Sequence, residues 1–246
     1  MITATLIAGL LLVAPERPHV LMIHGAGGGG WEYDFWKPAW ESVGFTVHAP
    51  DLEPLGGDYA RTRYQHYVAQ VRRESMNKSP LVLVGASMGG ILALSVAEEI
   101  KPEAIILINS VPPAGVGDFE RAPKWPEIVR WANGPIQDTI DSLPDGDEKT
   151  IQWAHPKWRD ESGRVLNEIS VGVKVSPPQC PVLVVIGEAD DTITPDVSRA
   201  IAKWSNADIF SYAQTSHIGP LMGLRRDEIA RACAAWARAR LEKVKS

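Results

Sequence analysis

Six short aliphatic runs, separated by stretches with apolar residues at helical spacing, constrain this chain more than any other feature. The runs are HVLMIHG (19–25), FTVHAPD (45–51), LVLVG (81–85), AIILIN (104–109), PVLVVIG (181–187) and ADIFSYA (207–213). Most are continuously apolar and do not alternate with polar residues. A strand with one wet face alternates, whereas a continuous run suits a strand covered on both faces, as in a parallel sheet. Helical patterns fill the intervals at 32–44, 59–76, 88–100 and 194–204, and again from Arg225 onward. Thr194 and Pro195 are placed as N-cap and first helical residue of the fourth. The alternation predicts an α/β fold: an open, mostly parallel, doubly wound sheet with helices on both faces.

The interval between 111 and 180 breaks the pattern. It holds no convincing aliphatic strand, is rich in Pro, Gly and charge, and contains Trp125, Trp131, Trp153 and Trp158. Disordered segments are poor in aromatics, so a helical cap insertion is expected here. The core is then 1–110 together with 181–246. At 246 residues the chain suits one large domain and is short for two enzyme domains.

Charge narrows the partners. The net charge is -5 and no long Lys/Arg block occurs, so nucleic acid is not an expected partner. The apolar run 6–13 is too short for a stable membrane span. It reads either as a strand or as the core of a signal peptide that lacks the usual positive start. In the second case the mature chain starts near Pro15 and is exported; in the first it is cytoplasmic. Cys180 and Cys233 are too few for a disulfide framework or a thiolate zinc site, and are expected to behave as small hydrophobes.

Chemistry is concentrated at the ends of the runs. Gly85-Ala86-Ser87-Met88-Gly89 fits G-x-S-x-G, between a buried strand and a helix. A sharp strand-to-helix turn strains the central residue and needs small neighbours, supplied by Gly85, Gly89 and Gly90. The Ser87 hydroxyl would then project above the sheet edge, with the Met88 amide at the helix start, where an anion is favoured. The competing reading is a Gly-rich phosphate turn, although the pattern is neither G-x-G-x-x-G nor a Walker sequence.

A serine nucleophile needs a base. Of six histidines, His217 in QTSHIGPLMG follows the last strand and precedes the last helix, which places it over the same sheet edge. His19 and His48 belong to strands, His66 to a helix, and His24 is expected to buttress its own loop. The orienting carboxylate comes from VLVVIGEADDTITP. Asp191 is preferred because its distance from Pro195 is set by the following helix, with Asp190 as the fallback. For a developing oxyanion the Gly-rich loop HGAGGGGW offers the Ala26 amide as partner to that of Met88. Gly27, Trp31, Trp125, Trp131 and His155 are candidates for the substrate pocket. The sequence shows no metal-ligand pattern.

HGAGGG, GASMGG, GEADDTITP and SHIGP, in this order and each after a strand, resemble the α/β-hydrolase fold superfamily, in particular its serine esterases and lipases. The order Ser, Asp, His is that of the family. The resemblance covers the chain from about His19 to its end, and the acidic turn differs by an extra residue before Pro195. It implies attack by Ser87 on the carbonyl of a small-molecule ester, an acyl-enzyme and no cofactor. Thioesterase, lactonase, amidase, C–C hydrolase and hydroxynitrile-lyase activities share the scaffold, as do lipases and non-catalytic ligand-binding members. The oligomeric state is left open.

Overall fold

In the computed structural model, residues 17–119 and 124–243 are described. The expectation for 6–13 falls outside them. Along the chain run β1 (His19–Ile23), α1 (Lys37–Ser42), β2 (Thr46–His48), α2 (Tyr64–Ser75), β3 (Leu81–Ala86), α3 (Met88–Ile100) and β4 (Ala104–Ile108). Then come β5 (Ile128–Val129), α4 (Ile136–Ser142), α5 (Glu148–Ala154), β6 (Glu161–Ser162) and α6 (Gly163–Val171). The chain closes with β7 (Val182–Gly187), α7 (Pro195–Ser205), β8 (Asp208–Tyr212), α8 (Gly219–Met222) and α9 (Arg226–Lys243).

Six strands form one parallel sheet in the order β2-β1-β3-β4-β7-β8. All six aliphatic runs are therefore strands of one sheet. Alternate residues of each strand serve its two faces. Leu21, Ile23, Leu83, Ile105 and Val184 pack with Val68, Ile91, Leu94 and Ile201 of α2, α3 and α7. Val20, Met22, Val82, Ile106 and Val185 pack with Trp40, Ile229, Cys233 and Trp236 of α1 and α9. A strand apolar at every position is what two covered faces require. Each such side chain, fully buried, contributes about 1.5–3 kcal/mol.

The chain leaves β1 toward one sheet edge to form β2 and returns on the other side of β1 to form β3. The direction of strand addition reverses there, and the crevice at the carboxyl ends of the strands is the favoured ligand position of such sheets. The loops after β1 and β3 flank that crevice.

The segment 111–180 is built of short helices and the antiparallel pair β5–β6. Leu143 and Ala154 join one apolar cluster of the core, and Val165, Leu166 and Ile169 join the other. Its tryptophans pack edge to face: Trp125 on Trp131, and Trp153 and Trp158 on Trp31. Cys233 is buried, Cys180 half-buried, and both are free thiols. No helix of the described residues is long and apolar enough to cross a membrane.

Candidate active site

Ser87 stands between β3 and α3 with φ 51° and ψ −118°. A non-glycine residue with positive φ is strained and persists only where its surroundings hold it. Here β4 does so. The Ser87 amide donates to the Ile108 carbonyl at 3.0 Å, and the Ser87 carbonyl accepts the Val111 amide at 3.1 Å. The turn also brings backbones very close together. A Cβ on Gly89 would lie 2.0 Å from the Ile23 carbonyl oxygen, so only glycine fits. Met88 is the first residue of α3, where the amide has no acceptor within the helix.

Ser87 and His217 line one cavity of about 590 Å³. Its walls are mostly apolar and include Val111, Phe119, Trp125, Trp131, Leu166 and Ile193. The His217 Nδ1–H donates to Asp190 Oδ2 at 2.8 Å. That bond leaves Nε2 as the ring's acceptor. Asp190 Oδ1 in turn accepts the amides of Thr192 at 2.8 Å and Ile193 at 2.9 Å.

Of the two acidic candidates, the structure brings the fallback Asp190, and not the preferred Asp191, to His217. Asp191 is exposed at the cavity wall, and its carboxylate meets the Thr192 hydroxyl at 3.4 Å. Asp190 points inward and is 3% exposed.

Asn109, which the sequence reading passed over, ties these parts together. It follows β4 directly, with φ 42°, and is fully buried. Its amide group donates to the carbonyls of Ser216 at 3.2 Å and His217 at 2.7 Å, while its Oδ1 accepts the Gly187 amide at 2.9 Å. The loops bearing Asp190 and His217 are thus joined through one side chain. A polar residue closing the run AIILIN was the signal for it.

The loop after β1 is held by acids and by one arginine. The Gly25 amide donates to Glu32 at 3.3 Å, the Gly27 amide to Glu161 at 3.1 Å, and the Gly28 amide to the Gly25 carbonyl at 3.4 Å. The Ala26 amide has no acceptor among the described residues. Of the four amides from Gly25 to Gly28 it alone is unengaged among the described residues. Arg159 grips the loop from outside. Its Nε donates to the Gly28 carbonyl at 2.8 Å, its Nη2 to the Leu52 carbonyl at 2.8 Å, and its backbone amide to the Gly27 carbonyl at 2.8 Å.

His24 supports its own loop, as the sequence suggested. Its Nδ1–H donates to the Gly25 carbonyl at 2.7 Å and its Nε2 accepts the Leu52 amide at 2.8 Å. Burial lowers its pKa to about 4, so the ring is neutral. Burial raises Glu32 to about 8, which keeps its carboxyl protonated near neutrality. Glu161 is also raised by burial, and accepts from the Tyr67 hydroxyl at 2.9 Å and the Ser162 amide at 2.7 Å.

Of the five pocket candidates, Trp125 and Trp131 line the cavity and three do not. Gly27 is covered by Trp131, whose ring a Cβ there would meet at 2.3 Å. Trp31 is occupied by Trp153 and Trp158. His155 Nδ1 pairs with the Thr139 hydroxyl at 3.1 Å within the intervening segment. Among the described residues no group of three or more His, Cys, Asp or Glu side chains could hold a metal ion.

The sequence from residue 20 to 232 matches the model of the alpha/beta hydrolase family. The chain belongs to that family. It is 34% identical over 98 residues to methylesterase 1 of Arabidopsis thaliana and 35% identical over 97 residues to salicylic acid-binding protein 2 of Nicotiana tabacum. Each match covers 37% of this chain and spans only 37% of the relative's length. The fold resembles that of the methylesterase MES16 from Arabidopsis, with TM-score 0.70 and 15% identity over 89% of this chain and 99% of that one. It resembles a pyrethroid hydrolase from Sphingobium faniae equally, with TM-score 0.70 and 20% identity over 92% of this chain and 99% of the other. At these identities the two structures establish the shared fold.

Proposed function

We propose that this alpha/beta hydrolase cleaves small-to-medium carboxylic esters through an acyl-enzyme on Ser87. The observation that carries the reading is the strained serine, in one cavity with a histidine whose other nitrogen is bonded to a buried carboxylate. Such an arrangement activates a hydroxyl that is otherwise a weak nucleophile.

In this reading His217 Nε2 takes the Ser87 proton as Oγ attacks the ester carbonyl. Asp190 holds the ring in the tautomer that leaves Nε2 free and stabilises the imidazolium. The amides of Ala26 and Met88 receive the oxyanion. His217 then hands its proton to the departing alkoxide, and water, activated the same way, releases the acid. The segment 111–180 serves as the cap, with Phe119, Trp125 and Trp131 facing the bound ester. Relatives named as methylesterases and a pyrethroid hydrolase support an ester over a thioester, lactone or C–C substrate.

Hydrolysis of p-nitrophenyl esters tests the proposal. Ser87→Ala should abolish turnover while leaving the circular dichroism spectrum unchanged, and a fluorophosphonate should label the wild type at Ser87 alone. Turnover persisting in Ser87→Ala, or no label on the wild type, overturns it.

A further inference from the structure

One carboxylate of the intervening segment reaches the loop that carries His217. Asp145 lies in the turn between α4 and α5. Its Oδ1 accepts the Ser216 hydroxyl at 2.5 Å, and its Oδ2 accepts the Ser216 amide at 3.3 Å. Its backbone carbonyl accepts the Leu224 amide at 3.0 Å. The carboxylate is nested against α8 so closely that a Cβ on Gly219 would stand 2.2 Å from Oδ2. One residue therefore grips both ends of the stretch 216–224, and His217 is its second member.

The donors that Asp145 takes are neutral. Its carboxylate bonds to the Ser216 amide and hydroxyl and forms no ion pair among the described residues. Hydrogen bonds to an ionised acceptor are shorter and roughly twice as strong as neutral ones. This carboxylate spends them on the histidine loop. From the core side the same loop is held by Asn109 and by the Ala189 amide, which donates to the Thr215 carbonyl at 3.0 Å. Asp145 closes the opposite side.

We propose that Asp145 is a positioning residue for the reaction: it sets the His217 loop from the intervening segment, so that the imidazole is aligned between Asp190 and Ser87. This rests on the reading of His217 as general base. A displacement of about 1 Å at a reacting group can cost on the order of 100-fold in rate. Loosening one of the loop's two sides should therefore act on turnover more than on substrate binding.

The test compares wild type, Asp145→Ala, Asp145→Asn, Ser216→Ala and His217→Ala on a p-nitrophenyl ester, with active sites counted by fluorophosphonate titration. Asp145→Ala should lower kcat per titrated site on the order of 10- to 100-fold, with KM changed by no more than about threefold. Asp145→Asn keeps one acceptor and should fall between it and wild type. Ser216→Ala, which removes one of the two side-chain bonds, should cost less, and adding it to Asp145→Ala should cost nothing more.

A purely structural role for Asp145 would lower Tm and the yield of titratable sites while leaving kcat per site unchanged. That outcome, with His217→Ala inactive, overturns the proposal. Should Asp145→Ala fail to fold, Asp145→Asn and Ser216→Ala decide alone, and wild-type kcat per site in both overturns it. Activity surviving in His217→Ala would instead overturn the underlying assignment of the base.

Discussion

Glu32 should make the protein less stable as pH rises from acid toward neutral and mildly alkaline values, and Glu32→Gln should remove that loss. The side chain is 2% exposed, beneath the loop after β1. Its carboxyl has one backbone donor, the Gly25 amide at 3.3 Å. The nearby Arg159 is engaged with the Gly28 and Leu52 carbonyls and with Glu53. Burial therefore outweighs the amide and the guanidinium and lifts the pKa from 4.5 to about 8, with Asp51 adding in the same direction. At about 1.4 kcal/mol for each tenfold change in proton affinity, ionising Glu32 in the folded protein costs up to about 5 kcal/mol more than in the unfolded chain.

The sign follows from proton counting. Between pH 4.5 and about 8 the folded state keeps a proton that the unfolded state has released, so stability falls as pH rises through that window. Below it both states are protonated, and above it both are ionised. A glutamine is neutral throughout and nearly the same shape. Urea unfolding of both proteins at several pH values between 5 and 8 gives the comparison, since other titrating groups cancel in the difference. The wild type should lose several kcal/mol relative to Glu32→Gln across the window, a large share of a typical domain's stability. Parallel stability curves for the two proteins would refute the reasoning.

Two further outcomes follow from the site. Asp190→Asn should lower kcat on the order of 1,000- to 10,000-fold by fixing the wrong tautomer of His217, whereas Asp191→Asn should stay within about twofold; steady-state kinetics on one ester compares them. His24, held neutral to about pH 4, should cost the fold about 3 kcal/mol as pH falls from 6.5 to 4, because only the unfolded chain gains a proton there. An NMR titration in which the His24 ring already titrates near 6.5 would contradict this.

The four central strands were legible because burial on both faces writes itself into each of those runs separately. Val20 and Met22 serve one face and Leu21 and Ile23 the other, so no long-range knowledge was needed. Ser87 was legible for the same local reason: the glycines around it record a backbone approach, at Gly89, that nothing larger survives. Asp190 and Asp191 are neighbours in a turn. Which of them points inward depends on the turn's path between β7 and α7, and residue type carries no trace of that. Arg159 and Glu161 meet Gly28 and Gly27 across 131 and 134 residues. Their roles are set by how the intervening segment folds back, and periodicity and spacing do not register a contact at such a distance. Of the segment's tryptophans, Trp125 and Trp131 were expected at the pocket and line it, and Trp158, which was not named, lines it as well. Trp31 was drawn into an aromatic cluster instead, where packing against Trp153 and Trp158 won over lining the cavity.

The grip of Arg159 and Glu161 on the loop after β1 bears on how such a chain can be re-engineered. The segment that walls the cavity looks like an exchangeable cassette, open to grafting from one scaffold to another to alter what is accepted. Here the cassette also carries the bolts of the scaffold beneath it. A graft that replaced residues 111–180 wholesale would leave the Gly27 amide without Glu161 and the Gly28 carbonyl without Arg159. In this chain the cap segment and the loop after β1 are held together, and a donor segment transplants cleanly only if it brings an arginine and a glutamate to the same two places.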